Sequence, residues 1–240
     1  PLSRRRGLCA SREKFDFGMA LPVETRPALC YTKSQGPAVL AGNKNVFEEK
    51  QTMKLTMLGT GNALVTECYN TCFVLSDGND HFMVDGGGGM TVLHQLKYAG
   101  LDWRQMRTIF VTHKHIDHLL GIIWMMRMIC QHMREGTYEG EATIYAHDEV
   151  IALLRDLAGK LLQKKELPFL ESRLHLIAVA DGEEKTILGR KTTFFDIGST
   201  KAKQYGFCME LGSGEKLTCC GDEPYNECEK QYAEHSTWLL

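Results

Sequence analysis

The chain has 240 residues, 43% of them hydrophobic and 24% charged, with a formal net charge of −2. That composition suits a single soluble domain with a real core and excludes a collagenous or disordered chain. Nine cysteines without a repeating spacing or a CxxC pair exclude a disulfide scaffold and read as reduced thiols of a cytosolic protein; Cys68 and Cys72 read as buried apolar residues rather than metal ligands. No apolar run reaches the ~18 residues that span a bilayer, so no membrane association is expected.

Residues 1–52 hold four of the six prolines and carry nine Lys/Arg against five Asp/Glu. No helical or strand period persists there. They read as a poorly ordered basic leader that includes Arg4-Arg5-Arg6, with Met53 opening the folded domain over 53–240. From there, strands are expected at Lys54–Leu58, Thr71–Leu75, His81–Val84 and Thr108–Val111. Helices are expected at Thr91–Ala99 and Leu119–Met133, the latter with a Met-rich core face; whether its Trp124 lines the substrate mouth is left open by the sequence. Thr143–Tyr145 reads as a strand and Glu149–Leu162 as an amphipathic helix. Strands follow at Leu174–Val179, Lys185–Leu188, Thr192–Ile197, Tyr205–Leu211 and Glu215–Cys220. A short helix over Asn226–Ala233 then precedes a last strand, Thr237–Leu240. Helices alternating with strands, and hairpins at each end, predict an α/β fold of two mixed sheets with helices outside.

The chemistry concentrates in Val111-Thr-His113-Lys-His115-Ile-Asp117-His118, directly after an apolar strand. Imidazole and carboxylate are ligands of first-row metals, and four in one loop converge without long-range folding. His113 and His115 are two apart and point the same way in an extended segment. Asp117 and His118 enter the helix and can face a second ion, so one loop can serve two metals ~3.5–4 Å apart. The other histidines, His81, His94, His132, His147, His175 and His235, are isolated and read as surface or core residues. Gly86–Gly89 lacks a following Gly-Lys-Ser/Thr, so it reads as a backbone turn beneath the site, not a phosphate loop.

HxHxDH after a strand resembles the metallo-β-lactamase superfamily. Leu58-Gly-Thr-Gly-Asn62 resembles the opening of its ribonuclease Z-like and phosphodiesterase branch. Val84-Asp85-Gly-Gly87 resembles the family's strand-end Asp-Gly, and Cys220-Gly-Asp222 its metal-bridging Gly-Asp. The resemblance implies an αββα sandwich whose last part is missing. It implies two divalent ions, zinc first and Mn or Fe as substitutes, held by His113, His115, Asp117, His118 and Asp222, with Asp85 supporting them from behind. The family's further histidine falls at Gly198, which has no side chain, with Asp196 as a displaced substitute; its final histidine falls beyond Leu240. The implied activity is a phosphodiesterase or ribonuclease Z-like hydrolase. It would use a metal-bound hydroxide, with Asp117 orienting the water or taking its proton. A thioester or lactone hydrolase on the same ions and a degraded, non-catalytic metal-binding domain are the alternatives. Only 24 positions separate Gly198 from Asp222, too few for a long tRNA-gripping arm, and residues 53–240 carry 19 basic against 25 acidic groups. RNA is therefore disfavoured against a small or cyclic phosphodiester, and a homodimer is left open.

Overall fold

The computed structural model describes Cys30–Tyr31 and residues 53–240. The rest of the expected leader lies outside the described residues. Strands β1 (Cys30–Tyr31), β2 (Lys54–Gly59), β3 (Cys72–Asp77), β4 (Asp80–Val84), β5 (Met106–Val111), β6 (Ala142–Ala146) and β7 (Leu174–Ala178) form a seven-stranded sheet in chain order. Neighbours from β1 to β4 run antiparallel, and β3 and β4 are joined by the two-residue turn Gly78–Asn79. Those from β4 to β7 run parallel, which demands crossovers. Helices α1 (Thr91–Tyr98), α2 (Ile116–Glu135) and α3 (Asp148–Leu161) supply these crossovers. The second sheet has the order β12-β11-β10-β9-β8. Its strands are β8 (Glu184–Ile187), β9 (Arg190–Asp196), β10 (Tyr205–Gly212), β11 (Glu215–Cys219) and β12 (Trp238–Leu239).

Strand periodicity explains how the layers stack. In β3, Cys72 and Val74 join Met83, Ile109 and Val111 in the core under α1, α2 and α3. Phe73 and Leu75 point the other way and join Phe82, Val84 and Phe110 in the core between the sheets. Central strands covered on both faces must be apolar throughout, and these read that way. The inter-sheet core is aromatic: the Phe110 ring lies 4.9 Å from that of Phe194 and 5.8 Å from that of Phe207. Outside the second sheet, α4 (Lys230–Ala233) stacks Tyr232 on Phe195 at 4.0 Å. The expected fold of two mixed sheets with outer helices is the observed one.

The elements differ from expectation mainly at their ends. The helix expected from Leu119 begins at Ile116, with His115 as its extended N-cap and Asp117 in its first turn. Periodicity traces only the buried face, whereas this first turn carries polar side chains, and a carboxylate there is favoured by the helix dipole. The helix stops at Gly136, whose φ of 72° is the left-handed cap. Asn226–Ala233 divides into a 3-10 turn, Glu227–Glu229, and α4. The seven cysteines from Cys68 onward are free thiols; Cys72 is buried as expected, whereas Cys68 is exposed because it sits in the bend before β3.

Truncating the central aromatic checks the packing. Phe110→Ala should cost about 3–5 kcal/mol, read by denaturant melts of metal-free protein. Leu64→Ser, at a side chain that is 90% exposed, should stay within about 0.5 kcal/mol of the parent.

Candidate metal centre

The site forms where three strands end. β4 delivers Asp85, β5 delivers Thr112 and His113, and β11 in the other sheet delivers Gly221 and Asp222. Asp85 takes the left-handed region at φ 57°, uncommon for a non-glycine residue. Its carboxylate is thereby turned under the metal loop. Oδ1 accepts from the Thr112 backbone N–H at 2.8 Å. Oδ2 accepts from the Thr112 hydroxyl and from His118 Nδ1, each at 2.8 Å.

This arrangement sets the tautomers. A carboxylate only accepts, so His118 carries a proton on Nδ1. The Thr112 hydroxyl gives its single proton to Asp85 and therefore accepts from His113 Nδ1, 2.9 Å away. Both rings are left to present Nε2 outward, towards Asp222. Asp222 Oδ1 is 3.7 Å from His113 Nε2, and Oδ2 is 3.3 Å from His118 Nε2. His115 turns Nδ1 to within 2.8 Å of His113 Nε2. Asp117 Oδ2 lies 3.6 Å from His118 Nε2. Five side chains separated by up to 109 positions in the chain thus meet at one point.

The donor set fits a divalent cation. Single ligand atoms from His113, His118 and Asp222 lie within 4.8 Å of one another, and none of the six isolated histidines belongs to this group. Burial opposes charge on His118, but Asp85 and Asp222 outweigh it and hold its pKa up to about 10. Burial and then the neighbouring His118 charge press His113 down to about 4, so it is neutral. The hydrogen bond from His118 holds Asp222 well below the usual carboxylate range, against its partial burial. A proton on His118 Nε2 therefore stands where a cation would bind.

The loops around the cluster are fixed by close approach. Gly86 N–H donates to His118 O at 2.8 Å, and a Cβ at Gly121 would lie 1.8 Å from Gly86 O. Only glycine lets α2 sit this close to the loop. Below, the Tyr69 hydroxyl shares its one proton between Gly86 O at 2.7 Å and Gly89 O at 2.8 Å and accepts from Gly89 N–H at 3.2 Å, so the glycine run is a turn clamped beneath the site. The start of α3 ties down two flanking loops through Lys114–Glu149 at 3.1 Å and Lys203–Asp148 at 2.6 Å.

Gly198 departs from expectation. Its φ is +70°, and a Cβ built there would meet Asn226 Nδ2 at 2.7 Å and Cys228 Sγ at 3.3 Å, with no atom of the cluster among its nearest neighbours. Asp196 is not among the grouped ligand atoms of His113, His118 and Asp222, and its Oδ1 accepts from Gly198 N–H at 2.8 Å. The strand parity that aligned Asp196 with Gly198 fails because β9 ends at Asp196 and the chain turns. The residue that does reach the cluster from this segment is Gln204, whose Nε2 donates to Asp222 Oδ1 at 3.0 Å. Neither Gln204 nor Thr112 stood out in the sequence. Thr112 was visible only as the neighbour of His113, and Gln204 carried no signal. Trp124 is exposed on α2 in a stripe with Ile116 and Leu120.

A sequence model of the Anti-Pycsar protein Apyc1 family matches residues 53–239. The chain belongs to that family. Residues of this Apyc1-family chain are also 30% identical over 132 positions to a ribonuclease Z of Pseudomonas putida (strain GB-1), covering 54% of the chain and 38% of the relative. The chain thus spans well under half the length of that curated relative, and 29% of a ribonuclease Z from Nitrosopumilus maritimus. In structure it is similar to the metallo-beta-lactamase fold protein YhfI from Bacillus subtilis, with a TM-score of 0.63, 20% identity, and 78% and 70% of the two chains covered. The short form of human tRNase Z follows at a TM-score of 0.57 and 18% identity, covering 77% and 75%. The fold is the metallo-β-lactamase fold, and over part of its length the sequence is similar to ribonuclease Z. Among the described residues no helix is long and apolar enough to cross a membrane.

Two measurements probe the centre. Thr112→Val removes the hydroxyl between Asp85 and His113 at constant volume. It should lower zinc affinity about 10–100-fold in a chelator-competition titration, and Thr112→Ser should restore it. Because a cation must displace the His118 proton, uptake should release a proton. Apparent affinity should then rise about tenfold per pH unit between pH 6 and 9, read by calorimetry in buffers of different ionisation enthalpy.

Proposed function

We propose that the chain is a metal-dependent phosphodiesterase acting on small or cyclic phosphodiesters. The observation that carries this reading is the Asp222 carboxylate set between His113 and His118, one oxygen towards each ring. His113, His115 and Asp222 would hold one divalent ion, and Asp117, His118 and Asp222 a second, zinc being the first choice for imidazole and carboxylate donors. When bound, such ions supply a nucleophilic water at neutral pH and neutralise charge on the phosphoryl oxygens.

The protein's own groups do the rest. Asp85 and Thr112 keep both Nε2 atoms aimed at the reaction point, so no reorientation is needed as charge develops. Asp117, buried beside His118, would orient the attacking water or accept its proton and pass it to the leaving oxygen. The path from β9 to Asp222 is one loop and the β10–β11 hairpin, with no protruding arm among the described residues. That favours a small substrate over a folded RNA, as does the acidic balance of residues 53–240.

The test is a turnover panel with zinc- or manganese-loaded protein. Bis-p-nitrophenyl phosphate and a small cyclic phosphodiester should be hydrolysed, and a precursor tRNA, a lactone and a thioester should not. His118→Ala and Asp222→Ala should each lower turnover at least about 100-fold. Preference for the lactone or thioester would replace the proposal with a carboxyl-ester hydrolase. Metal uptake with no turnover of any substrate would leave a binding domain.

A further inference from the structure

Asp222 is the one member of the cluster supplied by the second sheet, and 43% of its side chain is exposed. A carboxylate in that position has a soft terminal torsion, so something must stop it turning away from the two rings. The residue that can do so is Gln204, which is only 1% exposed. Its backbone is fixed on both sides: Gln204 O accepts from Ile197 N–H at 3.1 Å, and the next amide, Tyr205 N–H, donates to Thr112 O at 3.0 Å. The second contact ties Gln204 to the strand end that bears His113.

From that anchor the side chain crosses over Gly221 to reach Asp222. Gly221 has φ +77°, and a Cβ there would sit 2.1 Å from Gln204 Nε2 and 3.0 Å from Cδ. The absent side chain at 221 is thus the channel through which the amide reaches Oδ1. Because a carboxylate accepts only, the amide must present its nitrogen.

We infer that Gln204 is the positioning residue for Asp222: its amide locks the carboxylate so that Oδ1 faces His113 and Oδ2 faces His118. An amide suits the task because it donates without adding negative charge and is a poor competitor for a divalent ion. Glutamate at this position would repel Asp222, and an apolar isostere would leave it free to turn. The inference rests on the reading of this cluster as a metal centre.

The experiment uses the full chain and compares Gln204→Met and Gln204→Glu, both close in volume, with the unmodified protein. Zinc affinity is measured by chelator competition, and the visible absorption of Co2+-loaded protein is recorded at saturating cobalt. Both variants should bind zinc about 10–100-fold more weakly. At saturation their cobalt bands should be shifted or weakened, which a mere loss of stability would not produce once the site is filled. Unchanged affinity and an unchanged cobalt spectrum in either folded variant would overturn the inference while leaving the metal centre standing. If the unmodified protein takes up neither ion, the metal-centre reading and this inference fall together, and that is seen before any variant is made.

Discussion

The carboxylate of Asp85 is the constraint on which the site depends. It gathers the Thr112 amide, the Thr112 hydroxyl and His118 Nδ1 within 2.8 Å of its two oxygens. A left-handed backbone at a non-glycine residue costs roughly 1–2 kcal/mol. Hydrogen bonds to a buried charged group contribute about 1.5–3 kcal/mol each, which more than offsets that cost. One anion thus fixes the protonation pattern of two imidazoles and aligns the end of β5 with the first turn of α2.

Much of this was legible in the sequence because the chemistry is local. His113, His115, Asp117 and His118 fall within six positions, and a strand followed by a helix start leaves the loop few ways to point them. The paired sheets were legible because β3, β4 and β5 alternate between two apolar environments, and the ribonuclease Z-like family resemblance followed from motifs in order. Asp222 could be named only by resemblance, since nothing in Cys220-Gly-Asp222 itself shows that β11 ends beside β5.

What stayed hidden depended on direction rather than identity. Gly198 lies at the end of the expected strand, yet the chain turns with a positive φ and its missing side chain would point at Asn226. Gln204 is an ordinary polar residue beside an aromatic, and its burial arises only because Gly221 leaves room for it. Asp85 could be expected near the histidines from its place at a strand end, but its relay through Thr112 to His113 requires the two strand ends to be in register. These are tertiary facts with no period or motif to announce them.

The cluster straddles the seam of the sandwich: its imidazoles ride on one sheet and Asp222 on the other. A cation bound there would be a cross-link between layers otherwise joined by side chains such as Phe110, Phe194 and Phe207. Binding and docking of the layers then share one free energy, and linkage makes the exchange reciprocal. Whatever factor the ion adds to the cohesion of the sandwich, a well-joined sandwich returns to the ion. Aromatic packing distant from the ligands would in this way set how firmly the protein keeps its metal.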